Sequence, residues 1–479
     1  MRSVRNAVWA TCTIVLLATS AGAQTGDPSA SHNDLPDQPR VLLVTHATLW
    51  TSGPQGVLED ADMLVRAGRI VRIGRSLRVP DGAVVIDATG RHVTPGMIDA
   101  HNHSMISGGV NEGTHNTTSE VRIQDVINPE SINIYRQLAG GLTAVNLLHG
   151  SANSIDGQSA VIKLRWGQPA QALLLDGARP GIKFALGENP KQSNWDVDER
   201  RYPQTRPGVE QSIRERFQAA VDYRRAWKEH QGGADRVPPR CDLQLEALVE
   251  ILEGRRDIHS HSYRADEILM LMEIAEDFGF RVKCFQHVLE GYKVADELAA
   301  HGATASTFSD WWAYKFEVID AIPYNGAIMW DRGVVVSFNS DSSELARRLN
   351  LEAAKAVRYG GVPEDEALKF VTINPAIQIG AQDRVGSLEA GKDADFVVWS
   401  GHPLSNYSIV EQTWVDGRKY FDREKDLAYR EVVAAERAEL LEKSRGASEE
   451  EDDDDENGDD EVAEEPEADP TAGNARRHP

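Results

Sequence analysis

Val93-Thr-Pro-Gly-Met-Ile-Asp-Ala-His-Asn-His-Ser104 decides how this chain folds. The run is short and apolar, and reads as a buried strand ending in a turn at His101-Asn102-His103. Side chains two residues apart on a strand point to the same side, so His101 and His103 aim at one point. Two neutral imidazoles so placed are half of a metal site. An isolated His-x-His also arises from solvated loop histidines, so partners must come from elsewhere in the chain.

The flanks of this strand differ. Before it, Val41-Leu-Leu-Val44, Met63-Leu-Val65, Ile70-Val-Arg-Ile73 and Ala83-Val-Val-Ile86 are β-rich runs separated by turn signals such as Ala67-Gly68 and Pro80-Asp81-Gly82. After it, apolar runs recur at 97–101, 142–148, 160–164, 181–186, 256–261, 282–287, 303–307 and 334–338. Helical patterns intervene at 209–231, 242–254, 265–278, 292–301, 344–359 and 363–371. Runs that are apolar throughout suit parallel strands covered on both faces. The alternation predicts an α/β fold, a (β/α)8 TIM-like barrel over 95–383, with a doubly wound sheet as the competing topology. Beyond Asn374-Pro375, the segment Val385 to Trp399 reads as strand, turn and strand, and Ile409 to Gly417 as another hairpin. Residues 40–94 and 384–421 are therefore expected to form one small β-sandwich from both ends of the barrel. A charged helix is expected over 422–446.

The 479 residues are 41% hydrophobic and 26% charged, a globular composition. Arg2 and Arg5, the mostly apolar stretch Ala7 to Ala18, and Ala21-Gly22-Ala23 form a signal peptide, 1–23. Its apolar part is shorter than the ~20 residues of a spanning helix, and no later stretch spans a membrane. A linker, 24–39, follows, and the expected product is periplasmic or secreted. Only Cys241 and Cys284 remain after cleavage, and Cys284, inside an apolar run, reads as a buried free thiol. The net charge is −24, of which the tail from Ala447 to Pro479 carries −13. Such a tail repels itself and is expected to be disordered. The remaining −11 includes no basic stripe, which argues against a nucleic-acid partner. No pattern specifies an oligomeric state.

Barrel sites lie at the carboxyl ends of the strands. There the sequence places Asp257-Ile-His-Ser-His-Ser-Tyr263, then Phe285-Gln-His287, then Val334-Val-Val-Ser-Phe-Asn-Ser-Asp341-Ser-Ser-Glu344. Each run ends in a metal-capable side chain, and four such coincidences at strand ends point to a metal centre.

Pro95-Gly-Met-Ile-Asp-Ala-His-Asn-His103 resembles the first-strand signature of the amidohydrolase superfamily. Gly386-Ser-Leu-Glu-Ala-Gly-Lys-Asp-Ala-Asp-Phe-Val-Val398 resembles part of that family's split β-sandwich. Within the superfamily the chain is similar to the imidazolonepropionase-related group, which includes cyclic-amide hydrolases and metal dipeptidases. The resemblance implies His101 and His103 as first-strand ligands, His261 as the fifth-strand ligand with His259 as its competitor, and His287 as the sixth-strand ligand. It makes Asp341 the last-strand ligand and the general base for the attacking water. Two-metal members bridge their ions through a carboxylated lysine or a glutamate; Lys183 is the candidate here, with Lys163 and Glu188 as alternatives. The implied cofactor is a divalent metal, Zn2+ first, at one or two per chain, with Mn2+, Co2+ and Fe2+ as alternatives. The implied reaction is hydrolysis of a small amide, cyclic amide or peptide-like substrate. A dipeptidase, deaminase or lactonase could use the same site. A non-catalytic metal- or solute-binding protein would be expected to lack the base that Asp341 supplies. Arg206 is the candidate for pairing with a substrate carboxylate. His149 and the aromatics of Ser309-Asp-Trp-Trp-Ala-Tyr314 are further candidates for lining the pocket.

Overall fold

A computed structural model describes residues 35–192, 195, 201–233, 237–311 and 314–455, with side chains to residue 445. The expected signal peptide, most of the linker and tail residues 456–479 lie outside the described residues. The strands are β1 (Val41–Trp50), β2 (Val57–Arg66), β3 (Arg69–Gly74), β4 (Val84–Asp87) and β5 (His92–Pro95). Then come β6 (Met97–Asn102), β7 (Leu142–Leu147), β8 (Ile155–Gln158), β9 (Ala160–Lys163), β10 (Gly181–Ala185), β11 (Asp257–Ser262), β12 (Val282–His287), β13 (Thr304–Thr307) and β14 (Val336–Phe338). The last are β15 (Phe396–Trp399), β16 (Val410–Val415) and β17 (Arg418–Asp422).

The two ends of the strand series share one sheet. Its order is β17-β16-β15-β5-β1-β2-β3, with β4 on β1. The seam is the antiparallel β5–β15 pair, Val93 opposite Val398 and Thr94 opposite Val397. Alternation along β15 serves two cores. Phe396 and Val398 pack with Leu42, Val44, Met63, Val93 and Trp414. Val397 and Trp399 face the other way, into the main core. The segment Val385 to Asp395, expected to start with a strand, is instead a loop. Its backbone groups tie to separate partners, Leu388 N–H to Thr51 O and Asp393 N–H to Arg384 O, so no continuous ladder forms.

The remaining nine strands form a three-stranded sheet, β6-β7-β9, and a six-stranded one, β14-β13-β12-β11-β10-β8. Only Ser159 separates β8 from β9. The run 160–164, expected as a parallel strand, pairs antiparallel with β7, and β8 pairs antiparallel with β10. No helix lies between β7 and β8 or between β8 and β9, so the chain makes no helical parallel crossover over this stretch. From β10 to β14 every pairing is parallel, with helices between the strands. Asp242 starts one of them, accepting the N–H groups of Gln244 and Leu245. Gly279 ends the helix Ala265–Phe278 at φ 76°, the left-handed conformation that glycine adopts without strain. Past β14 the chain returns to β6, where Asp341 donates its backbone N–H to His101 O (3.2 Å).

Lys163 on β9 is fully buried and turned towards the first sheet. Its ammonium meets Asp393 Oδ2 at 2.8 Å, Asp395 Oδ2 at 2.9 Å and Asp416 Oδ1 at 2.6 Å. Arg165 also holds Asp416, and Arg384 also holds Asp393. The Asp393-Ala-Asp395 motif is thus the acidic half of a buried ion cluster, and Lys163 is committed to it.

The chain divides into two compact units, the second beginning at Lys425. This second unit holds most of a helix, Arg423–Asp455, which runs past residue 446 into the acidic stretch where disorder was expected. Each residue added to an existing helix gains a backbone hydrogen bond without a new nucleus, and glutamate is a good helix former. Among the described residues no helix is long and apolar enough to cross a membrane. Cys284 is free and buried, as expected, and Cys241 is free and exposed.

Candidate metal centre

Five of the expected ligands converge. The rings of His101 and His103 are 4.9 Å apart, those of His101 and His287 4.5 Å, and those of His261 and His287 4.8 Å. Asp341 Oδ1 lies 3.3 Å from His103 Nε2 and 3.7 Å from His101 Nε2, and Asp341 Oδ2 is 3.9 Å from His287 Nε2. Donor atoms of His101, His287 and Asp341 all lie within 4.8 Å of one another. His287, Val288 and Asp341 have φ of 69°, 36° and 44°. Non-glycine residues there are strained by roughly 1–3 kcal/mol each, a cost typical of functional sites. Here the bend ends β12 at His287 and the turn after β14 at Asp341, two of the converging side chains.

Hydrogen bonds set which ring nitrogen faces the centre. His103 donates Nδ1–H to Leu148 O (2.8 Å), and His101 Nδ1 meets Gln286 Oε1 (3.2 Å). Both rings therefore turn Nε2 inward, the two Nε2 atoms 3.1 Å apart. Burial, with the field of neighbouring Lys183, holds the His101 and His261 imidazoles well below their usual range, and burial drives His287 to about 3. Neutral imidazoles are the ligand form. Burial favours a protonated Asp341, but the hydrogen bond with His103 and the positive field of the neighbouring groups, Lys183 among them, outweigh it and keep the carboxylate below its ordinary value.

The donor set fits a divalent cation. Both ring nitrogens of His261, and both of His287, are buried without a hydrogen-bond partner. Unpaired buried polar atoms cost about 1–3 kcal/mol each, and imidazoles with a carboxylate are a ligand set for a metal such as Zn2+.

Lys183 is fully buried, its Nζ 3.3 Å from His101 Nε2 and 3.4 Å from His149 O. Burial lowers its pKa to about 8. Lys163 is excluded as its rival by the ion cluster described above. Glu188 follows β10 and gives its backbone N–H to Glu317 (2.9 Å). His259 lies beside Lys183 in the sheet register, with Nδ1 3.4 Å from Gln286 Nε2 and its pKa pushed by burial to about 4. It packs beneath the ligands through Gln286, while His261 joins them.

Arg206 is placed otherwise than expected. Its Nε is 2.5 Å from Glu267 Oε1 and a terminal nitrogen is 3.4 Å from Glu317 Oε1. Two buried carboxylates need a counter-charge, and they hold the fork expected to meet a substrate carboxylate. His149 is likewise used within the protein, its Nδ1 near Gly150 O (2.8 Å) and its Nε2 accepting Glu112 N–H (2.8 Å). Of the aromatic loop, Trp312 and Ala313 lie outside the described residues. Trp311 stacks on Phe308 (4.3 Å), Phe308 on His287 (4.8 Å), and Tyr263 on the His287 ring (5.6 Å). Gln286 and Tyr263 were inside the quoted motifs, but nothing in their spacing distinguishes them from packed neighbours.

The profile of the Amidohydrolase family matches residues 92–420, so the chain belongs to the amidohydrolase family. It is a hydrolase of the class acting on carbon–nitrogen bonds. It is 30% identical over 443 residues to amidohydrolase tasK of Hapsidospora irregularis, spanning 82% of this chain and 45% of tasK, about half that protein's length. An imidazolonepropionase of Thermoplasma volcanium is 24% identical over 395 residues, 77% of this chain and 92% of that enzyme. The crystal structure of an amidohydrolase from Thermotoga maritima MSB8 superposes with a TM-score of 0.73 at 33% identity, covering 80% of this chain and all of that one.

Proposed function

We propose that this chain is an exported, metal-dependent amidohydrolase that opens an amide or cyclic amide bond in a small substrate. The reading includes a (β/α)8-type barrel, with β8 and β9 joining the two inner sheets and the return from β14 to β6 closing the ring, and a β-sandwich domain on the sheet shared by both chain ends. The supporting observation is the convergence of His101, His103, His261, His287 and Asp341 around orphaned imidazole nitrogens. These side chains would hold one or two divalent ions, Zn2+ in our assignment, with Lys183 as the bridge when two are bound. When bound, such an ion lowers the pKa of water from about 15.7 towards 7 and polarises the scissile carbonyl.

The protein supplies the rest. Asp341, ionised and partly open to solvent, takes the proton of the attacking water and returns it to the leaving nitrogen. Gln286 and Leu148 O hold the Nδ1 sides of His101 and His103, which aims both Nε2 atoms at the centre before reaction. The wall of Phe308, Trp311 and Tyr263 screens one side of His287 from water, which strengthens the electrostatics inside. Signal-peptide cleavage near Ala23 would release the enzyme to the periplasm or medium.

The test is turnover with added Zn2+ over a panel of linear amides, cyclic amides, dipeptides, nucleobases and lactones, for wild type and Asp341→Asn. The account expects cleavage of a C–N substrate and its loss in the variant. Equal activity of the two proteins would remove Asp341 as base, and turnover confined to lactones would remove the amide reading.

A further inference from the structure

We propose that Asp99 is a positioning residue that locks the His101 strand to the turn carrying Asp341. The proposal rests on the metal-dependent reading above. Asp99 is fully buried on β6, two residues before His101. Its Oδ1 accepts the backbone N–H groups of His101 (3.2 Å) and Ser340 (3.1 Å). Its Oδ2 accepts Ser340 Oγ–H (2.5 Å) and Asn102 Nδ2–H (3.0 Å). Two of these partners belong to the histidine strand, and two to the residue that precedes Asp341. The positions lie 241 residues apart in sequence.

The chemistry requires a carboxylate. Four donors converge on two oxygens, and an ionised Asp is acceptor-only at both, whereas an Asn offers one acceptor oxygen. Ser340 passes the constraint on, because its Oγ also accepts Ser342 N–H (3.2 Å) and so clamps the chain on both sides of Asp341. That clamp is what a residue held at φ 44° needs to stay in place. On the other side Asn102 reaches Gln137 Oε1 (3.3 Å) and, through its own oxygen, Ser104 N–H (2.8 Å), fixing the backbone on either side of His103. Asp99 touches neither the reacting space nor a metal donor atom; it sets the distance between the imidazoles and the base.

The variants are Ser340→Ala, which removes one hydroxyl, and Asp99→Asn, which turns an acceptor into a donor facing Asn102. The probes are Zn2+ and Co2+. Expected are a Zn2+ dissociation constant weaker by about 10- to 100-fold, a changed visible spectrum of the Co2+ protein, and a lower kcat at unchanged KM with metal saturating. A purely structural role would lower the melting temperature of the metal-free protein and leave the Co2+ spectrum and Zn2+ affinity as in wild type, and that result overturns the proposal. Should Asp99→Asn fail to fold, Ser340→Ala decides alone. Wild type that binds neither ion defeats the metal reading itself; wild type that binds, with Ser340→Ala indistinguishable, defeats only the role of Asp99.

Discussion

Replacing Lys163 by methionine separates two lysines that look alike in sequence. In the structure Lys163 answers Asp393, Asp395 and Asp416, and is fully buried. Arg384 and Arg165 remain for Asp393 and Asp416, so part of the charge stays compensated. Asp395 loses its only salt bridge of this cluster, and burial already pushes its carboxyl upwards. Removing one partner of a buried pair costs about 3–5 kcal/mol, and the two arginines place Lys163→Met at the lower end, about 3 kcal/mol. At about 2.1 cal/mol/K per residue over ~390 residues, that is a fall of roughly 4 °C in Tm. The assay is urea unfolding together with metal analysis of the folded variant at 15 °C. Stability should fall while the metal count is that of wild type. The loss should shrink towards pH 5, where an uncompensated Asp395 protonates and no longer needs a counter-charge. Unfolding within about 1 kcal/mol of wild type would refute the ion-cluster argument. A lost metal equivalent with stability intact would hand Lys163 the bridging role assigned to Lys183.

Where wild type binds two ions, Lys183→Met should do the reverse, dropping the metal count to one per chain with a small change in stability, measured by elemental analysis. Because burial brings Lys183 to about 8, its amine is mostly neutral above that pH and mostly charged below it. Reconstitution of metal-free enzyme with Zn2+ and bicarbonate should therefore be faster at pH 8.5 than at pH 6.5, and equal rates would contradict carboxylation. Asp341→Asn should cut kcat by about 10²- to 10⁴-fold, the range for a general base, as followed by steady-state kinetics. His287→Ala should lose metal affinity, measured by equilibrium dialysis.

Much of the candidate site was legible because metal-capable side chains stand at the ends of apolar runs. His101, His103, His261, His287 and Asp341 each close an apolar run, and the structure brings the five together. The choice between Lys163 and Lys183 was not legible. Both sit in short apolar runs, and what divides them is the side each faces, Lys163 on β9 towards the acidic cluster and Lys183 on β10 towards the histidines. The flanking sheet was readable as β-rich from both ends, yet the strand expected at the start of 385–399 is a loop, whose Asp393 and Asp395 serve the Lys163 cluster. Arg206 misled for a similar reason. An arginine after a strand looks available to a ligand until Glu267 and Glu317, 61 and 111 residues away, are seen to hold it. Asp99 was hidden in the signature because the partner that links it to Asp341, Ser340, lies 241 residues away.

Anomalous diffraction at the zinc edge from Zn2+-loaded crystals, with the ions counted per chain, bears most directly on the central claim. The account predicts a peak ringed by His101, His103, His261, His287 and Asp341, and a second peak next to Lys183 if two equivalents bind. Zinc found only elsewhere on the molecule, or an enzyme that turns over its substrate fully with that position empty, would contradict it.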